Sequence, residues 1–216
     1  MLKGKFNHLI IILGVPGTGK TTYAVRRARE IQHTSKCVIV AHDPGYRLPE
    51  DDASIVHYES YAECVAGMRT RPGAVHCITT GRGEAFVQWA RQCGAQSVNN
   101  PQKTGAPILG LVDDSTQVKG FSRRGIDDNL LEALVGRRHK HTGWIVTLQD
   151  PQFAHYSLMS QSTEIVIFRM IDTDAVKMLK KFGVSTEMQA KVETLPDYHC
   201  IVHNTQTRQS QIIAKN

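Results

Sequence analysis

Short, nearly continuous apolar runs alternate in this chain with longer stretches whose apolar residues return every three or four positions. The runs have the character of strands buried on both faces, and the longer stretches that of helices with one face against a sheet. Residues 8–13 form the first run. A helix predicted over 21–31 follows it, with Ala24, Ala28 and Ile31 on one side. Residues 37–41 read as the second strand, closed by a turn at 42–45 and followed by an acidic, polar loop at 50–53. A helix over 61–70, a strand over 74–79 and a helix over 84–93 come next. Residues 94–105 are polar and read as a surface loop. A strand at 107–112 precedes a helix over 126–138 that aligns Ile126, Leu130, Leu131, Leu134 and Val135. Two further strands are predicted at 144–148 and 164–170. Asp172 and Asp174 open a helix that Gly183 stops after Phe182. Beyond it, 184–216 suggests a short helix or loop and then a terminal hairpin from 198–203 and 209–214. Repeated strand–helix units predict an α/β fold, a mainly parallel sheet with helices on both faces. The expected organisation is one domain over 1–216, with a core at about 8–182 and a C-terminal extension at about 183–216.

The chemistry is concentrated between the first strand and the first helix. Gly14, Val15, Pro16, Gly17, Thr18, Gly19, Lys20 and Thr21 spell G-x-x-x-x-G-K-T, a phosphate-binding loop in the strand–loop–helix setting that it requires. Glycines let the backbone wrap a phosphate chain, and N–H groups at the helix start add positive potential. Lys20 is placed to reach the β- and γ-phosphates, Thr21 to ligate Mg²⁺, and Thr22 to extend the nucleotide contacts. ATP and Mg²⁺ are the expected cofactors, although no residue in the sequence identifies the base.

The strand at 107–112 ends in Asp113-Asp114, the form of a Walker B motif. Asp113 would hold Mg²⁺ directly or through water, and Asp114 would orient or deprotonate the attacking water. Gln149 ends a later strand, where a side-chain amide can touch both the γ-phosphate and that water. An Asp-Asp turn or a glutamine at a strand end is commonplace alone. Behind a phosphate loop the combination gains meaning.

A net charge of +6 suits a polyanionic partner without requiring one. Lys119, Arg123 and Arg124 lie in the polar loop after Asp114, and Arg137-Arg138-His139-Lys140 ends the next helix. Either arginine pair could reach the γ-phosphate bound by a neighbouring subunit, while cations at a helix C-terminus also offset its dipole. Arg26, Arg27 and Arg29 read as a solvated helix face. Five cysteines without a C-x-x-C pair read as reduced core residues, and His139 and His141 lack partners for a metal site. No apolar run is long enough to span a bilayer, and the phosphate loop occupies the place of a signal-peptide cleavage site. An intracellular protein is expected.

The order of these pieces resembles the FtsK–HerA superfamily of P-loop ATPases. Within it the chain is most similar to the genome-packaging ATPases of tailless icosahedral viruses with an internal membrane, relatives of the poxvirus packaging ATPase. The likeness rests on Gly14 to Thr21, on Asp113-Asp114, on Arg138-His139, and on Gly143-Trp144-Ile145-Val146-Thr147-Leu148-Gln149-Asp150-Pro151 with the strand that follows at 165–169. The resemblance implies a homo-oligomeric ring, usually a hexamer, that hydrolyses ATP to move double-stranded DNA irrespective of sequence. It further implies the host cytoplasm, with docking at the capsid vertex or on membrane-associated viral proteins. By the same resemblance Asp114 is the catalytic carboxylate, Gln149 the γ-phosphate sensor and Arg138 a candidate intersubunit arginine. Arg123 and Arg124 compete with Arg138 for that role and, with Lys119, stand nearest the DNA. The chain departs from the pattern in having no arginine between Pro151 and Glu164. A filamentous-phage-type assembly ATPase, a small-molecule or nucleotide kinase, and a nucleotide-gated DNA-binding module are the alternatives.

Overall fold

The computed structural model describes residues 6–43, 48, 52–99, 106–113, 121–122, 125–126, 128–135 and 141–214. Its first half holds β1 (Leu9–Leu13), α1 (Lys20–Ser35), β2 (Val38–His42), β3 (Ile55–Tyr58), α2 (Tyr61–Thr70), β4 (Val75–Ile78), α3 (Gly83–Asn99) and β5 (Ile108–Val112). The second half holds β6 (Phe121–Ser122), β7 (Gly125–Ile126), α4 (Asp128–Val135), β8 (Thr142–Leu148), α5 (Tyr156–Ser160), β9 (Glu164–Ile167), α6 (Thr173–Met178), α7 (Thr186–Val192), β10 (Cys200–Asn204) and β11 (Gln209–Ile213). One sheet runs in the order β11-β10-β9-β1-β8-β5-β2-β4-β3, and β6 pairs with β7 apart from it. From β9 to β3 every pairing is parallel; β10 and β11 add an antiparallel hairpin at the β9 edge.

The central strands β1, β2, β5 and β8 are buried at every residue. Successive side chains of a strand point to opposite faces, so burial at every position requires cover on both. Leu9, Ile11 and Leu13 join Trp144, Phe86 and Val87 in one core. Ile10 and Ile12 join Ala24, Ala28 and Ile31 of α1 in the other. The expected two-faced α/β sheet is therefore present, with an uneven distribution of cover. Among the described residues α1 alone covers one face, while α2 to α7 contribute to the other. No helix among them is long and apolar enough to cross a membrane.

Gly110 of β5 lies opposite Trp144 of β8, and a Cβ at 110 would come within 2.2 Å of the indole. Only a glycine lets that ring, buried completely, lie across the neighbouring strand. The fit locks β5 and β8 together.

Several local expectations change. β3 was not anticipated; its Ile-Val-His-Tyr is short, and as an edge strand it is fully buried only at Ile55. α3 continues through Gly94 to Asn99, where a polar loop was expected, because nothing in Ala95–Asn99 breaks a helix once it has started. Ile126 belongs to β7 rather than to the following helix. The helix predicted over 172–182 tightens into a 3₁₀ turn at Leu179–Phe182, and Gly183 closes it with φ 92°. Arg27 is not simply solvated. It bonds Glu164 at 2.9 Å and Glu30 at 3.0 Å, tying α1 to β9.

Among the described residues three histidines lie inside the fold. His42 stacks on Phe86, His76 is held by the Tyr58 hydroxyl and the Arg71 carbonyl, and His203 by Ser210 and the Phe182 carbonyl. Burial holds each below the usual imidazole range, partly offset by the carbonyl beside its ring. The folded protein therefore keeps them neutral, whereas the unfolded chain takes up protons as the pH falls through about 6.5. The histidine contribution should be flat between pH 7.5 and 8 and should fall below about pH 6.5, by up to about 1.4 kcal/mol per pH unit for each histidine. Urea unfolding between pH 5.5 and 8 measures this. A profile without acid loss in that range would contradict the neutral assignment.

Candidate functional site

Three parallel neighbours, β1, β8 and β5, set up the site at their carboxyl ends. Leu13 pairs with Leu148, and Val112 with Val146. One residue further on, Gly14 therefore comes level with Gln149, and Asp113 with Thr147. The strand carrying Gln149 lies between the strand leading into the phosphate loop and the strand leading to Asp113.

The loop braces itself. Val15 donates its N–H to the Arg169 carbonyl at 3.0 Å. The Thr18 hydroxyl and Lys20 Nζ donate to the Val15 carbonyl at 2.8 and 2.9 Å. Gly19 caps α1 in the left-handed region, φ 101°, where it offers no side-chain cap. No acidic residue stands in the first turn of α1, although α2, α3, α4, α6 and α7 each carry one there. The N–H groups that open α1 thus retain their partial positive charge for an anion from outside the chain.

Asp113 is the next component. It is buried, and its two carboxylate oxygens are held separately: Oδ2 accepts from the Thr21 hydroxyl at 2.9 Å, and Oδ1 from the Thr147 hydroxyl at 2.8 Å. A hydroxyl and a carboxylate side by side suit a hard cation such as Mg²⁺, which takes few protein ligands and completes its shell with phosphate oxygens and water. Among the described residues no group of three or more His, Cys, Asp or Glu side chains could hold a metal. The Thr21–Asp113 pair thus fits a cation that arrives with a phosphate ligand.

These groups line a cleft of about 300 Å³ together with Pro16, Gly17, Gly19, Lys20, Thr22, Leu148, Gln149 and Tyr198. Gln149 is exposed at the cleft. Of the predicted loop residues, Gly14, Val15 and Thr18 are not among those lining it; Val15 and Thr18 brace the loop. Asp114, Lys119, Arg123, Arg124 and Arg138 lie outside the described residues. Three cleft residues were not foreseen: Thr147, Leu148 and Tyr198. Thr147 had a weak signal, a hydroxyl inside an otherwise apolar strand; Tyr198 had none, being far away in sequence. The cysteines stay out of the cleft as free thiols, and burial pushes those of Cys37, Cys64 and Cys200 up to about 12 and that of Cys93 to about 11. They are inert core side chains at neutral pH.

No protein-family model matches the chain, and no curated protein sequence matches it. Solved structures do. The genome-packaging NTPase B204 from Sulfolobus turreted icosahedral virus 2, in complex with AMP, superposes with a TM-score of 0.75 at 15% identity, covering 98% of each chain. Its complex with ATP-gammaS gives 0.72 at 15% identity over 96% of each chain. B204, the DNA-packaging ATPase from Sulfolobus turreted icosahedral virus, gives 0.66 at 18% identity over 96% of this chain and 97% of its own. The chain therefore has the P-loop, RecA-like NTPase fold of these viral genome-packaging proteins along nearly its whole length.

Proposed function

We propose that this protein is a Mg²⁺-dependent ATPase that drives double-stranded DNA into a viral capsid. The observation that carries the proposal is the convergence of Lys20, Thr21, Asp113 and Gln149 on one cleft at the uncapped start of α1. The shared fold of B204, described as a DNA-packaging ATPase, supports the extension from nucleotide site to motor.

In this reading the N–H groups of α1 and the Lys20 ammonium hold the phosphate chain and draw charge off its β- and γ-oxygens. Thr21 and Asp113 would hold Mg²⁺, which when bound neutralises charge on the same oxygens. Asp114, one residue past Asp113, aligns the attacking water and accepts its proton as the γ-phosphorus–oxygen bond to ADP breaks. Gln149 contacts the γ-phosphate and that water, so the strand end that carries it distinguishes ATP from ADP. Thr147 keeps Asp113 in place. An arginine from a neighbouring subunit, Arg138 or the Arg123–Arg124 pair, completes the charge around the transferring group. Lys119 faces the DNA backbone, joined by Arg123 and Arg124 where Arg138 is the intersubunit arginine, in a homo-oligomeric ring, a hexamer, at a capsid vertex or on membrane-associated viral proteins inside the host cell.

The test is ATPase rate with and without long duplex DNA, with all products identified. Marked stimulation and release of inorganic phosphate are expected. Phosphate transferred to a small acceptor would replace the motor with a kinase, and nucleotide binding without turnover would replace it with a binding switch.

A further inference from the structure

Tyr198 lines the phosphate cleft, and phosphate chemistry makes no use of its ring. Its backbone has φ 63°, a conformation that bulky residues rarely adopt without a reason in the surroundings. The surroundings supply one. The Tyr198 N–H donates to the Thr18 carbonyl at 3.1 Å, which fastens the residue to the phosphate loop by main chain. Asp197 pairs with Arg169 at 2.9 Å, and the Arg169 carbonyl takes the Val15 N–H, so the segment is tied to the same loop twice. The ring lies over Gly19, where a Cβ would come within 2.6 Å of its Cδ1. Any other residue at 19 would push the ring away. Despite these ties the side chain remains 43% exposed, which is uncharacteristic of a tyrosine recruited for core packing.

We propose that Tyr198 is the platform on which the base of the bound nucleotide stacks. The inference rests on the nucleotide reading of the cleft and adds the part of the ligand that the loop motif leaves unread. An aromatic face fixed relative to the loop recognises a flat heteroaromatic ring by stacking, whatever the hydrogen-bonding edge of that ring. The loop holds the phosphates, and Tyr198 fixes where the other end of the molecule lies.

The experiment compares calorimetric binding of two probes, ATPγS and inorganic tripolyphosphate, to the full chain and its variants. Tyr198→Leu keeps apolar bulk over Gly19 and removes the π-face; it should weaken ATPγS roughly 10- to 100-fold and leave tripolyphosphate within about twofold. Tyr198→Phe should bind both probes as the unaltered protein does. In turnover Tyr198→Leu should raise KM with little change in kcat, since stacking is equal in ground and transition states. Equal loss of both probes in Tyr198→Leu would make the residue a brace for the loop and overturn the proposal, as would no loss of either. Lys20→Ala separates the two levels of inference. If it leaves both probes bound, the nucleotide reading itself fails; if it weakens both while Tyr198→Leu spares ATPγS, only the stacking platform fails.

Discussion

Lys20→Ala is expected to lower ATP turnover by about 10³-fold, the scale found when a preorganised charge is removed from the group that develops charge in the transition state. The ammonium is already anchored to the loop by its bond to the Val15 carbonyl, so little reorganisation is needed when phosphate arrives. Its side chain is only partly buried and lies outside both cores, so the free energy of urea unfolding should change by less than about 0.5 kcal/mol. Steady-state phosphate release, with unfolding as the control, measures both effects. Hydrolysis at the normal rate would remove the loop from the reaction.

Asp113→Asn is expected to have the second largest effect. The amide preserves the shape of the carboxylate but replaces one acceptor oxygen with a donor and removes the charge. One of the two hydroxyls, on Thr21 or Thr147, must then reverse its role, accepting from the amide and losing the acceptor for its own proton. Thr147 is 1% exposed and has no access to bulk water, so the substitution should also reduce stability by about 1–3 kcal/mol. Turnover should fall about 10²- to 10³-fold, with a higher Mg²⁺ concentration needed for half-maximal rate. A Mg²⁺ titration of phosphate release distinguishes the two consequences. An unchanged Mg²⁺ requirement would place the cation elsewhere.

The elements legible in advance were those whose physics is local. β1, β5 and β8 were visible because two-sided burial leaves continuous apolar runs, and the phosphate loop because glycines, lysine and threonine must occur at fixed spacing. The stop at Gly183 and the start at Asp172 were visible for the same reason: a cap is a local interaction. Properties that depend on the third dimension were not visible. Nothing around residue 198 indicates that its backbone bonds Thr18, and nothing in β8 indicates that Thr147 will come level with Asp113. Both follow from strand order and register, which the apolar runs leave open. Arg27 looked solvated because its partner, Glu164, is separated from it by most of the chain. β3 was too short to show a period, and α3 outran its apolar stripe.

In the bound state the loop at Gly14 to Thr21 and the carboxylate of Asp113 are expected to meet around one Mg²⁺-bound triphosphate. A crystal structure of the full chain with a non-hydrolysable ATP analogue and Mg²⁺ tests it most directly. The metal is expected at about 2.0–2.1 Å from the Thr21 hydroxyl oxygen, with Asp113 bound to it directly or through one water and Gln149 at the γ-phosphate. An Asp113 side chain turned away from an occupied loop, or an empty loop at saturating ligand, would contradict it.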